Sequence, residues 1–384
     1  MGQAAVRVIG SGVAMGSPSM FPGCAVTPSG IVIAYSTVPD GWPGGTVGVR
    51  RTADGGRSWE AAQIVARPAP GEDAALGAIG LTRLRDGRLL LPYNTVTWQK
   101  GRGIEGCLLA LRLVESTDDG ARWSEPIKVA IDFDRPAVYG DMLELASGEL
   151  LWPVWGEYRS GERWRSALLA SRDGGRNWTV KSTIAFDPEA RMTGKYVENG
   201  DTGQTDHGVA DFSRHDDPDF RPHNATDGFN ETSVVQLGDG RLLAVLRQQG
   251  VDGDQELALF VAYSADEGAS WTAYARIGFS GMSPVVVRTA DGRLLLGSRR
   301  FVADASVEPG VEIRVGAADA RQWSAPVTLV DPHGTKLTGE YQCGYPAFAA
   351  EPGGTWLAFF YSCQPDGARY LAWNRLEIAA AASP

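Results

Sequence analysis

Apolar runs of four to six residues recur along the whole chain, separated by polar turns centred on glycine. Six such runs follow a turn glycine directly: "PSGIVIAY" at Gly30, "RDGRLLLPY" at Gly87, "ASGELLWPV" at Gly148, "GDGRLLAVL" at Gly240, "ADGRLLLGS" at Gly292 and "PGGTWLAFF" at Gly354. Short apolar runs bounded by DG-type turns read as hairpin strands, because a helix would need a longer stretch with a 3.6-residue period.

A second pattern, S/T-x-D-x-G-x-x-W, lies between these hairpins. It occurs as "TADGGRSW" (Thr52 to Trp59), "STDDGARW" (Ser116 to Trp123), "SRDGGRNW" (Ser171 to Trp178) and "SADEGASW" (Ser264 to Trp271), with a worn copy "GAADARQW" (Gly316 to Trp323). The spacing has a physical reason. An Asp in a turn accepts backbone N–H groups, the Gly takes a conformation closed to other residues, and the Trp leaves the turn to pack on a neighbouring sheet. These Asp residues therefore read as structural.

Each of the first five turn glycines is followed by a box, and the sixth by none. The repeating unit is strand, turn, strand, connection, strand, box turn, strand. Four-stranded units of this kind cannot bury their faces alone, and a ring of them can. The prediction is an all-β fold, a six-bladed β-propeller forming one domain over residues 1–384. The last unit offers only "YPAFAAE", "TWLAFFYS" and "RYLAWNRLEI" as strands, and "AAVRVIG" near the start supplies its fourth.

Charge and composition narrow the partners. With 36 basic and 46 acidic side chains the net charge is −10, and no Lys/Arg run stands out, which argues against a nucleic acid or an anionic membrane as partner. No stretch is long and apolar enough to span a bilayer, and the first residues lack the pattern of an export signal. The chain is expected to be soluble, with its localisation left open. Four cysteines without a CxxC spacing indicate neither a disulfide scaffold nor zinc; Cys343 and Cys363, symmetric about Gly353, read as two buried thiols, with a disulfide between them as the alternative. A polar insertion at about 190–229 carries His207, His215 and His223 without tight liganding spacings. Structural or substrate-contact roles are expected there, and neither a metal nor a cofactor.

Candidate chemistry appears when the six units are aligned on their turn glycine. Glu231 lies nine residues before Gly240 and Arg247 seven after, so the two are expected to face each other across an antiparallel pair. The same early offset selects Phe21, Ala78, Tyr139, Ser283 and Tyr345, and the late offset Thr37, Asn94, Trp155, Arg299 and Tyr361. In a propeller the ends of the innermost strands converge on one face, so these positions would line a concave pocket suited to carbohydrate. The plainer reading is a structural ion pair between Glu231 and Arg247 with Tyr345 as a rim aromatic.

The boxes, together with "NETSVVQLGDGRLLAVLR" and "GYPAFAAEPGGTWLAFFYS", resemble the sialidase (neuraminidase) superfamily over almost the whole chain. The boxes are specific for the fold and weak for activity. The resemblance implies a Tyr nucleophile, Tyr345, activated by Glu231, with Asp40 of "YSTVPDGWPGG" as acid/base and Arg247 as one of three substrate-clamping arginines. Two departures stand out. Where the family has an "RIP"-like segment this chain has "MFP", with Met20 or its neighbour in the place of the first Arg, and Tyr361 stands where the family has a further Glu. For the third Arg the chain offers Arg299, followed by Arg300 and Arg314. The implied function is a sialidase-like exo-glycosidase acting on a terminal sugar of a glycan, with the incomplete Arg clamp leaving open both ordinary sialic acid and another sugar. Arg247, Arg299, Tyr361, Trp155 and Tyr139 would contact that sugar. Two other functions fit the same residues: a non-catalytic carbohydrate-binding propeller, and a polysaccharide lyase using a Tyr and His223.

Overall fold

The computed structural model describes residues 5–38, 43–77, 80–97, 108–160, 162–190, 228–249, 258–300, 308–338 and 342–380. Among them the named regular elements are all β-strands, and the fold is an all-β propeller. No helix among the described residues is long and apolar enough to cross a membrane. The Asp- and His-rich insertion with His207, His215 and His223, the candidate acid/base Asp40, and Ala78 lie outside the described residues.

The turn-glycine runs form hairpins as the sequence pattern predicts. Met20–Thr27 pairs with Gly30–Ser36, Gly228–Gln236 with Leu242–Gln249, Met282–Arg288 with Leu294–Arg299, and Gly344–Ala350 with Trp356–Cys363, all antiparallel. Hydrogen bonding gathers the strands into five sheets, one of nine strands. That sheet is two antiparallel groups joined by one parallel contact, Trp164 to Gly228. Gly228 permits the contact, because a Cβ there would lie 2.3 Å from the Trp164 carbonyl oxygen. Val6–Met15 pairs with Arg369–Ile378, so the early strand completes the sheet built from the end of the chain.

The first strands of successive hairpins pack side by side, Gly228–Gln236 on Met282–Arg288, Met282–Arg288 on Gly344–Ala350, and Gly344–Ala350 on Met20–Thr27. Apolar side chains fill the spaces between sheets. Leu90, Leu113, Trp152 and Trp178 share one such cluster, and Leu151, Leu168, Phe229 and Leu246 another.

The boxes behave as anchored turns, and their first residue matters as much as the Asp. In each intact box the hydroxyl donates to the Asp and accepts the N–H of the Gly: Thr52 with Asp54 and Gly56, Ser116 with Asp118 and Gly120, Ser171 with Asp173 and Gly175, Ser264 with Asp266 and Gly268. The carboxylate also accepts the backbone N–H of the residue four further on, at 2.8 to 2.9 Å. The worn box keeps only part of this. Ala320 takes the left-handed conformation at φ 61°, and the Trp323 indole still donates to the Ala320 carbonyl.

Hydrogen bonds from Ser58, Arg122, Asn177 and Ser270 hold Asp54, Asp118, Asp173 and Asp266 down at about 2. An unfolded Asp titrates near ~4, so this stabilisation is complete above that pH and disappears as pH falls through about 2. Thermal melts between those limits are expected to show a steep acid loss of Tm. Asp173→Asn should lower Tm by a few degrees at neutral pH and flatten the acid slope, and an unchanged slope would show that the boxes do not carry it.

Candidate active site

Four residues at the early offset share an unusual backbone. Phe21 (φ 53°), Glu231 (φ 41°), Ser283 (φ 52°) and Tyr345 (φ 54°) are all left-handed, and each sits where the strand pairing skips a residue. Between Asn230–Arg247 and Ser233–Val245, two residues oppose Leu246 alone, a one-residue bulge. This corrects the expected register. Arg247 is paired with Asn230 instead of Glu231, Arg299 with Met282, and Tyr361 with Gly344. A bulge re-aims the side chain at its extra residue, and left-handed backbone costs a non-glycine residue roughly 1–2 kcal/mol. The same strain recurs at four corresponding positions of four strands.

The bulged side chains meet. Glu231 is 4% exposed and accepts four hydrogen bonds. Tyr345 Oη donates to Glu231 Oε1 at 2.5 Å. The other carboxylate oxygen, Oε2, accepts Arg247 Nη1 at 2.8 Å, the Ser283 N–H at 2.9 Å and Ser283 Oγ at 3.2 Å. Burial pushes the Glu231 carboxyl up, but the Arg247 charge, the Tyr345 hydroxyl and the more distant Arg299 outweigh it and hold the group below the ordinary carboxylate range. Glu231 is thus an ionised acceptor at neutral pH.

Aromatic rings surround this pair. The Phe21 ring lies 4.6 Å from Tyr345 and 5.7 Å from Tyr361, and Tyr139 lies 6.1 Å from Tyr345 with its hydroxyl on the Pro284 carbonyl. Burial first, and Glu231 second, push the Tyr139 phenol well above its ordinary value, so it remains neutral. Trp155 is half-buried beside the same cluster, edge-on to Trp164 at 4.6 Å. Arg299 is 2% exposed, donates to Tyr361 Oη at 2.7 Å, and lies over the rings of Tyr345 and Tyr361. Burial opposes its charge, yet Tyr361, Tyr345, Cys343 and Glu231 together raise its pKa above the ordinary value. Met20 is buried, and Cys343 and Cys363 are buried thiols.

Tyr345, Glu231, Arg247, Arg299, Tyr361 and Tyr139 therefore form one cluster with Trp155 at its margin. Ser283 and Phe21 belong with them. The turn-glycine offset picks out both, but neither a small hydroxyl nor a phenyl ring announces chemistry by residue type.

Residues 41–300 match the family described as BNR repeat-like domain. A sialidase from Bacteroides fragilis (strain YCH46) is 28% identical over 159 residues, covering 35% of this chain and 28% of that protein. Among solved structures, a protein of unknown function from Dyadobacter fermentans superposes with a TM-score of 0.74 at 21% identity, covering 98% of this chain and 100% of that one. The Hadza microbial sialidase Hz136 superposes at 0.63 with 15% identity, covering 93% and 65% respectively. At these identities the structural matches report the fold.

Removing one partner of a buried ion pair strands the other charge. Arg247→Met is expected to cost about 3 kcal/mol in denaturant unfolding, because Glu231 loses its nearest cation. The double variant Glu231→Gln/Arg247→Met should be the more stable of the two. A double variant weaker than the single would show that the pair is held by packing instead of charge.

Proposed function

We propose that this chain, which belongs to the BNR repeat-like domain family, is a sialidase-like exo-glycoside hydrolase acting on a terminal sugar of a glycan. Its strands are read as six four-stranded blades in one domain, the nine-stranded sheet counting as two blades. The observation that carries the activity is the 2.5 Å hydrogen bond from Tyr345 Oη to the buried Glu231 carboxylate, made between two strained backbone positions.

A neutral phenol is a weak nucleophile with an ordinary pKa near ~10, and an adjacent carboxylate can take its proton as it attacks. In this reading the Tyr345 oxygen bonds to the anomeric carbon, its proton passes to Glu231 Oε1, and Asp40 protonates the departing oxygen. Water then releases the sugar from Tyr345. Arg247, with Arg299, holds a polar substituent, and Tyr361, Tyr139 and Trp155 contact the ring. Ordinary sialic acid is a poor fit. Apolar Met20 occupies the place of one clamp arginine, and Arg299 already donates to Tyr361.

A binding-only propeller is the second reading, favoured by the same apolar substitution at Met20. Release of the aglycone from α-sialosides, Kdn and Kdo glycosides, arabinofuranosides and rhamnosides separates the two. The hydrolase reading expects turnover of at least one, lost in Tyr345→Phe and reduced by about two to four orders of magnitude in Glu231→Gln. Unimpaired turnover by Tyr345→Phe would remove Tyr345 as nucleophile. Glycan binding without turnover of any member would favour the binding protein.

The acid limb of the turnover profile should fall below pH 4.5, the ordinary glutamate value, because Glu231 is held down. Arg247→Gln should move that limb upward. A limb that stays in place would mean another group sets it.

A further inference from the structure

The same ion pair that keeps Glu231 charged makes it a weak base. Arg247 sits 2.8 Å from one carboxylate oxygen while the other must take a proton from Tyr345. Transfer in that direction needs a compensating charge near the phenol oxygen. Among the described residues, Glu231 meets Tyr345 through the hydrogen bond, Tyr139 and Tyr361 through their rings and Arg299 over its ring, with Arg247 behind Glu231 and Cys343 acting on Arg299. Arg247 already pairs with Glu231, and Arg299 is the cation that lies over the Tyr345 ring.

Its placement is enforced. The Arg299 guanidinium carbon lies 5.2 Å from the centre of the Tyr345 ring and 5.7 Å from that of Tyr361, whose planes differ by 31°. Nη2 donates to Tyr361 Oη at 2.7 Å. Gly344 leaves the room, since a Cβ there would stand 2.5 Å from Arg299 Nε and 2.7 Å from Nη2. A residue other than glycine would push the cation away from the ring beside it.

Resting on the reading of Tyr345 as nucleophile, we propose that Arg299 is a positioning residue that stabilises the Tyr345 phenolate. Tyr361 anchors it and Gly344 admits it. As the Tyr345 O–H bond breaks and its proton bonds to Glu231 Oε1, the negative charge left on the phenolate, shared between its oxygen and its ring, lies under the field of the Arg299 guanidinium, whose carbon is 5.2 Å from the ring centre. Tyr361 is then the anchor of that cation, in addition to any contact with the sugar.

The test is an alkaline ultraviolet difference titration. The Tyr345 contribution is obtained by subtracting the Tyr345→Phe form in each background, which needs no substrate. A unit charge at such a separation changes an ionisation constant by on the order of tenfold to a hundredfold. The Tyr345 midpoint is expected to rise by roughly one pH unit or more in Arg299→Gln, to recover partly in Arg299→Lys, and to rise less in Tyr361→Phe. Tyr361→Phe loses a single hydroxyl and stands in if Arg299→Gln does not fold. An unchanged midpoint in the variants overturns the proposal, and so does a Tyr345 that fails to ionise below the unfolding pH in the unaltered protein. The two readings fail separately. Turnover surviving Tyr345→Phe removes the nucleophile, whereas turnover lost in Tyr345→Phe beside an unmoved midpoint removes only the role of Arg299.

Discussion

A buried carboxylate is the constraint on which the rest of the site depends. Glu231 has almost no surface in water, so its charge is stable only while Tyr345, Arg247 and both donors of Ser283 converge on it. Arg247 comes from the partner strand of the same hairpin, and Ser283 and Tyr345 come from two other hairpins. Satisfying one carboxylate therefore ties the mouths of separate hairpins into a single rigid arrangement.

The device that brings them together is the bulge near the start of four of the inner strands. In a regular strand Glu231 would alternate with its neighbours across the sheet, and only the extra residue with its left-handed backbone turns the side chain away from that pattern. Phe21, Ser283 and Tyr345 use the same geometry. The box turns are fixed separately, their hydroxyl, carboxylate and glycine joined by local hydrogen bonds.

Charge within the cluster is arranged in two layers. Arg247 serves the carboxylate directly, while Arg299 lies one ring away, joined to Tyr361 and stacked over Tyr345. Around them Phe21, Tyr139 and buried Met20 form an apolar wall that strengthens every electrostatic contact inside it. A site built this way combines one strong acceptor with aromatic faces, which suits a sugar ring presenting both polar edges and apolar C–H surfaces.

Much of this was legible in the sequence. Strand-length apolar runs, DG turns and repeated boxes are set by residues a few positions apart, and local hydrogen bonding and backbone freedom decide them. The all-β propeller and the offsets that select Glu231, Arg247, Tyr345, Arg299 and Tyr361 follow from that periodicity. Symmetry about the turn failed to predict the register. A bulge inserts one residue without any change in the pattern of residue types, so Arg247 faces Asn230 while its guanidinium still reaches Glu231. Only the tertiary structure decided that Ser283 donates twice to Glu231, that the Phe21 ring packs on Tyr345, that Tyr361 takes hold of Arg299, and that Gly344 makes room for it. Each is a contact between strands brought together by closure, where distances of a few ångströms matter and sequence separation carries no information.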